Sequence, residues 1–257
     1  IWGRVTMSDS AELKNLDMAD FKLNDYDNIR IEMPEPPSIT EEDIDAQLFE
    51  YVISGGKQIQ SIADLGDEWV RDNFDGLETV QDVRQSIKDQ YDKEMEYQLN
   101  DVKLQNCCEA LIARLEGEVP EDVIQNNIDF MRENNQRLLD GMHMSFEQFL
   151  REEHMTADQY EEKLRDEAIY QLKLNVALDL MADVLGTQVG NHELTEYLST
   201  PDPEAFLAEI REKNQVENAR RAAVRIKVMR RIVDTAIVNG VLPGADQSDD
   251  FGFVMGR

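Results

Sequence analysis

The chain has 257 residues, of which 41% are apolar, 7% aromatic and 31% charged, and its formal net charge is −28. A surface this acidic repels phosphate groups, which excludes nucleic acids and anionic membranes as expected partners and favours basic polypeptides. The alternative interpretation is that the charge only keeps the chain soluble. No stretch approaches the ~18 consecutive apolar residues that a membrane-spanning helix requires. The low aromatic content is typical of amphipathic helices and not of a β-sandwich or an enzyme barrel.

The two cysteines, Cys107 and Cys108, are adjacent in the sequence. An ordinary disulfide between neighbouring residues is sterically awkward, so we expect free thiols in a reducing compartment. With no export signal visible, the sequence predicts a cytoplasmic protein. One thiol is expected in the core and the other at the helix boundary, and a redox-sensing pair is the less favoured alternative. No histidine lies near either cysteine in sequence to activate it as a nucleophile.

The N-terminal part of the chain carries few regular elements. Residues 1–20 are interpreted as a flexible leader, and residues 21–63 as a linker containing one strand and one helix. Apolar and polar residues alternate from Asn28 to Met33, which predicts a short strand. Thr40 is predicted to be the N-cap of the linker helix, whose apolar face is formed by Ile44, Leu48 and Val52.

Residues 64–242 are predicted to form a body of long helices. A short helix over 64–73 precedes the longest helix, over 79–116, whose apolar residues keep a helical spacing. The next helix begins at Pro120 and ends at Gly141, and it carries the apolar residues Val123, Ile124, Ile128, Met131 and Leu138.

Two capping boxes follow, Ser145 with Gln148 and Thr156 with Gln159, and the second opens a helix that ends at Gly186. A short helix begins at Asn191, a proline hinge follows, and the last helix is predicted over about 215–238. The tail, residues 243–257, is predicted to be disordered. Strand signals are minimal, and long helices with short loops pack as antiparallel pairs, so the predicted fold is all-α and elongated, with helical arms.

The sequence contains no phosphate-binding glycine loop, zinc-protease motif or nucleophile elbow, and we expect neither a cofactor nor catalysis. His143 and His154 lie near Glu147, Glu152 and Glu153, which makes this turn the one candidate metal site. Exposed histidines and glutamates at helix ends usually face solvent, and that interpretation is favoured here.

The turn between two long helices concentrates apolar residues. They are Met142, Met144, Phe146, Phe149 and Leu150. Methionine is flexible and polarisable, so such a tip can form an adaptable apolar surface that binds other polypeptides. The alternative is a small local core that closes the hairpin, and the two interpretations can both hold.

Two stretches resemble the bacterial trigger factor family. The first runs from Phe21 to Glu32 and on through Ile39 to Asp45, and is similar to the family's linker after its ribosome-binding domain. The second begins at Asp67 and continues to Ile124. It resembles the start of the C-terminal chaperone domain, including the Val119-Pro120 pair that opens the arm helix. The resemblance covers residues 21–240 and implies the all-helical fold that this domain shares with SurA-like chaperones.

The sequence also departs from the family pattern. The Gly-Phe-Arg-x-Gly-Lys loop of the ribosome-binding domain has no counterpart, and a short connector over 54–63 stands where the family inserts an FKBP-like prolyl isomerase domain. The resemblance therefore implies a linker and chaperone body without isomerase activity or tight ribosome binding.

The resemblance implies an ATP-independent, holdase-type chaperone that binds unfolded or nascent polypeptides in a helical cradle. Binding would be weak at each site and multivalent. The alternative function is an adaptor that binds one folded partner through the same cradle. The tip residues named above are the predicted client-binding residues, and the sequence leaves the oligomeric state open.

Overall fold

The computed structural model describes residues 16–198 and 200–242 and confirms the all-α class. The described chain contains eight α-helices: α1 (Glu41–Ser54), α2 (Asp67–Asn73), α3 (Val80–Ile112), α4 (Glu121–Gly141), α5 (Phe146–Glu152), α6 (Ala157–Leu185), α7 (Pro203–Glu212) and α8 (Val216–Thr235). Short 3₁₀ turns lie at Met18–Asp20, Ile62–Asp64 and Leu194–Tyr197. Two small sheets join β1 (Lys22–Leu23) to β3 (Leu115–Glu116) and β2 (Arg30–Pro34) to β4 (Ile237–Leu242).

The described residues form two compact units. The first, called the outer unit, contains residues 16–31 and 105–237, and the second, called the inserted unit, contains residues 32–104 and 238–242. The predicted boundary between linker and body, after residue 63, lies within the inserted unit.

The core of the inserted unit forms around α1. The hydroxyl of Thr40 accepts from the Asp43 amide at 3.1 Å, and the Asp43 carboxylate accepts from the Thr40 amide at 2.9 Å, so the predicted cap is a reciprocal capping box. The buried residues of this core are Ile44, Leu48, Val52, Ile62, Leu65, Val70, Val83 and Ile87. Arg84 binds Asp45 through two hydrogen bonds of 2.7 and 3.0 Å, which connects α3 to α1.

The longest helix, α3, begins after Thr79 as predicted but ends at Ile112, so the expected continuation to residue 116 is wrong. Leu115 and Glu116 instead form β3, which pairs antiparallel with β1 in the register Lys22–Glu116 and Leu23–Leu115. The Asn24 amide also donates to the Arg114 carbonyl at 3.0 Å. A pairing partner far away in sequence therefore overrides the local helical pattern.

The outer unit is built on α4 and α6, which pack against each other along their lengths. Arg165 bonds to both carboxylate oxygens of Glu121 at 2.6 and 2.7 Å, and Arg132 bonds to Glu161 at 2.8 Å. Between the helices lies an apolar cluster, called the arm core. Its buried residues are Leu16, Phe21, Val119, Val123, Ile124, Ile128, Tyr160, Leu164, Ala168, Leu172 and Val176.

Helix α8 packs on α6 and carries several cations that bind neighbouring elements. The guanidinium of Arg220 donates to the Val189 carbonyl and to Asn191, each at 2.8 Å, and Lys227 donates to the Gln188 carbonyl at 3.1 Å. These bonds hold the loop over 188–193 on the helix. The predicted helix to residue 238 is wrong, because Ala236 is extended and the Ile237 amide donates to the Ile29 carbonyl at 2.9 Å, which begins β4.

The predicted leader and tail lie largely outside the described residues, which begin at residue 16 and end at residue 242. The described end of the leader is packed: Leu16 is buried in the arm core and Met18 packs against it.

Candidate functional site

The tip of the α4–α6 pair is built from two successive turns of the same design. His143 and His154 both adopt the left-handed conformation, with φ of 54° and 51°. The amide of Met144 donates back to Leu139 at 3.0 Å, and that of Met155 to Leu150 at 2.9 Å, as in a Schellman helix end. Each turn is followed by a capping box that starts the next helix.

Both predicted capping boxes are confirmed. Ser145 and Gln148 exchange hydrogen bonds of 2.9 and 3.2 Å at the start of α5. Thr156 and Gln159 do the same at 2.8 and 3.2 Å at the start of α6. The tip is therefore a defined double turn whose side chains have set directions.

The aromatic residues of the tip pack inward. Phe146 lies edge-on to Tyr160 with ring centroids 5.0 Å apart, and Phe149 does so at 6.0 Å. The Tyr160 hydroxyl accepts from the Asn135 side chain at 2.9 Å. Phe146, Phe149 and Leu150 are half-buried and pack against the arm core. These three residues therefore form a small local core that closes the hairpin, which was the alternative to an exposed apolar surface.

The methionine side of the tip faces outward. Met142 is 66% exposed, and Leu138, one turn earlier on α4, is 58% exposed, while Met144 is half-buried. On the last turn of α4, Leu139 and not Leu138 takes the buried position. Leu138 was missed as a surface residue, although its spacing of four from Met142 places both on one helix face.

The histidines of the tip are both exposed. Within residues 16–198 and 200–242, no group of three or more His, Cys, Asp or Glu side chains is placed to hold a metal ion. The two histidines instead occupy the helix-end positions described above.

The two thiols are both buried, so the expectation that one lies at the helix boundary is wrong. The Cys108 sulfur lies 3.9 Å from the Met229 sulfur. Burial raises the pKa of the Cys108 thiol to about 11, so it stays protonated and a poor nucleophile near neutral pH.

A polar cleft of about 430 Å³ lies on the outer unit between α6 and α8. Its lining combines Asp179, Asp183 and Glu217 with Arg220 and Arg221. The two arginines are engaged with acidic neighbours, Arg220 with Glu217 and Arg221 with Asp179, each at 3.3 Å. The charges of the cleft therefore largely compensate one another.

None of the described helices combines the length and the apolar character needed to cross a bilayer. The site and fold together define an all-helical body with a hairpin arm and an apolar tip.

Comparison with known proteins agrees with that class. Residues 79–234 match the family model described as the C-terminus of bacterial trigger factor protein. Because this match covers more than half of the chain, the chain belongs to the trigger factor family.

Several curated relatives carry the name trigger factor. The protein of Caldicellulosiruptor saccharolyticus is 24% identical over 55% of this chain and 32% of its own length. That of Mycolicibacterium vanbaalenii is 26% identical over 64% of this chain and 35% of its own length. That of Desulfosudis oleivorans is 25% identical over 70% of this chain and 40% of its own length. The chain thus spans about a third of the length of the curated relatives it matches.

Proposed function

We propose that this chain is a holdase-type chaperone that binds unfolded or nascent polypeptides transiently, in the cytoplasm, without ATP and without catalysis. Membership of the trigger factor family supports the chaperone class. The acidic surface supports basic clients in particular, because a net charge of −28 attracts them at long range.

The exposed apolar pair at the tip, Leu138 and Met142, is the observation that carries this proposal. When a client covers a large exposed apolar side chain, that surface is removed from water. This favours binding by about 1–2 kcal/mol per side chain, at about 25 cal/mol per Å². Two to four such contacts give reversible binding, which a chaperone that must release its clients requires. Met142 and Met144 would contact the client, and Phe146, Phe149 and Leu150 would form the apolar floor beneath them.

The experiment is aggregation suppression by the variant Leu138→Ser/Met142→Ser. Both side chains are exposed, so the change leaves the arm core in place. Light scattering of two unrelated denatured enzymes, citrate synthase and rhodanese, would be followed after dilution into buffer with and without the chain. We expect the variant to require several-fold more protein for equal suppression of both.

The matched control is Ile53→Ser/Tyr97→Ser, which removes two exposed apolar side chains, 46% and 73% exposed, from α1 and α3. The control should suppress aggregation as the wild type does. Equal activity of the tip variant and the wild type would contradict the role of the tip. Failure of the wild type to suppress aggregation of either enzyme would favour the adaptor alternative.

A further inference from the structure

Residues 16–20, called the strap, lie on the arm core. Leu16 is buried in the arm core, and Met18 packs against the same cluster. Met18 also lines the polar cleft beside Ala182 and Val224. The strap therefore places two apolar side chains on the outer unit, with Met18 beside residues of α6 and α8.

The backbone of the strap bonds only to itself and to its immediate neighbour in sequence. The Asp20 amide donates to the Asp17 carbonyl at 3.1 Å and the Phe21 amide to the Met18 carbonyl at 3.3 Å. The Asp17 carboxylate accepts from the Ala19 amide at 3.0 Å. Within the described part of the chain, no hydrogen bond joins residues 16–20 to another element. Asp17, Ala19 and Asp20 are exposed.

The C-terminal end of the strap is firmly anchored. Phe21 is buried, and Gly117 lies so close that a Cβ at that position would come within 2.7 Å of the Phe21 ring. The strand pairing of β1 with β3 begins one residue later. The buried Phe21 ring and the β1–β3 pairing both lie outside residues 16–20, so displacement of the strap leaves the sheet in place.

We propose that the surface under Leu16 and Met18 is a second client-binding surface, and that the strap is its built-in occupant. This inference rests on the proposed chaperone function. The ligand is an unfolded polypeptide segment with two large apolar side chains two residues apart, which is the spacing of Leu16 and Met18 on either side of the extended Asp17. A client with this pattern competes with the strap, which keeps the surface covered when no client is present.

The test is the variant Leu16→Ser/Met18→Ser, with Asp17→Ser/Ala19→Ser as the matched control on the exposed side of the same segment. The probe is fluorescently labelled, reduced and carboxymethylated α-lactalbumin, which stays unfolded, and binding is measured by fluorescence anisotropy. The Leu16/Met18 variant should bind at least threefold more tightly than the wild type, because its strap no longer competes. The control should bind as the wild type does.

Unchanged or weaker binding by the Leu16/Met18 variant, with an unchanged helical circular dichroism spectrum, would overturn the strap proposal alone. Absence of binding by the wild type and both variants would overturn the proposed function and the strap with it. If the variant loses helical structure, the rate at which hydrogen peroxide oxidises the Met18 thioether of the wild-type chain, followed by peptide mass spectrometry, decides. Saturating probe should accelerate this oxidation, and unchanged or slower oxidation would refute displacement of the strap.

Discussion

Arg225 donates two parallel hydrogen bonds to the carboxylate of Asp179 inside the outer unit. The Nε atom donates to Oδ1 at 2.8 Å and Nη2 donates to Oδ2 at 2.9 Å. Both side chains are buried, and Arg221 adds a second cation 3.3 Å from the same carboxylate. Among the described residues, Arg225 Nη1 is the buried side-chain atom that lacks a partner. The pair joins α6 to α8. Their packing therefore depends on the Arg225 cation and the Asp179 carboxylate both being present.

Removing one partner of this pair should be costly. Asp179→Ala leaves the Arg225 charge buried without its carboxylate partner, and we expect a loss of about 3–5 kcal/mol in the free energy of unfolding. Asp179→Leu/Arg225→Met should recover most of that loss, because apolar groups of similar volume need no counter-charge. Urea unfolding followed by circular dichroism measures both. Glu209→Ala, which breaks the exposed Lys213 pair, is the control and should change stability by less than about 1 kcal/mol.

The close approach of Gly117 to Phe21 leaves no room for a side chain at position 117. Its φ is +118°, and an added Cβ would come within 2.7 Å of both the Phe21 ring and the Asp20 carbonyl oxygen. Gly117→Ala should therefore destabilise the chain by about 1–3 kcal/mol. Gly141→Ala is the matched control: it lies in α4 with open space around it, and should stabilise by about 0.5–1 kcal/mol. Thermal unfolding of the two variants should move in opposite directions, and equal shifts would refute this account.

The helix-end histidines occupy positions that suit glycine better. His143 has a φ of 54° and an exposed side chain. His143→Gly should raise the free energy of unfolding by up to about 1 kcal/mol, because glycine adopts this conformation without a Cβ penalty. His143→Val should lower it by about 1–2 kcal/mol, because the left-handed conformation is worse for a β-branched side chain. Calorimetry of the two variants and the wild type measures these changes in the free energy of unfolding. An increase in stability on His143→Val would show that the turn rearranges and would contradict this prediction.

Alkaline pH should weaken the outer unit through Cys108. Burial raises the pKa of this thiol from its ordinary 9.0 to about 11, so the folded state holds the proton more tightly than the unfolded state does. The thiol leaves stability unchanged below pH 9 and lowers it as pH rises from about 9 through about 11. The total effect is on the order of 2–3 kcal/mol.

Cys108→Ala isolates this effect. The variant loses some packing at every pH, but its free energy of unfolding should fall less steeply than that of the wild type between pH 8 and 10.5. Urea titrations across this range measure the two slopes. Parallel slopes would mean that Cys108 does not titrate as described.

Local signals predicted much of the helical framework. Thr40, Ser145 and Thr156 were each identified as caps from a residue three positions later, and each makes the expected bonds. Gly186 ends α6 in the left-handed conformation, as its position after an apolar helix indicates. These features depend only on residues within one helical turn, so one sequence is sufficient to find them.

Features that depend on distant partners were missed. The residues of β3 fit a helical pattern and become a strand only because β1 pairs with them. The Asp179–Arg225 pair joins residues 46 positions apart, and no local pattern marks it as buried. At the tip, the choice between Leu138 and Leu139 for the inward position depends on how α4 is rotated against α6. Neighbouring apolar residues in the sequence do not determine that rotation.

The interleaving of the two units constrains the order in which a ribosome can complete them. Residues 32–104 emerge as one uninterrupted stretch, and they contain every residue of the core around α1. Phe21 and β1, made earlier, have no partner until Gly117 and β3 have been synthesised. The N-terminal part of the outer unit therefore has to remain unpaired while the core around α1 forms. A nascent chain stalled before residue 115 should leave Phe21 accessible to solvent and proteases, even when α1 is already protected.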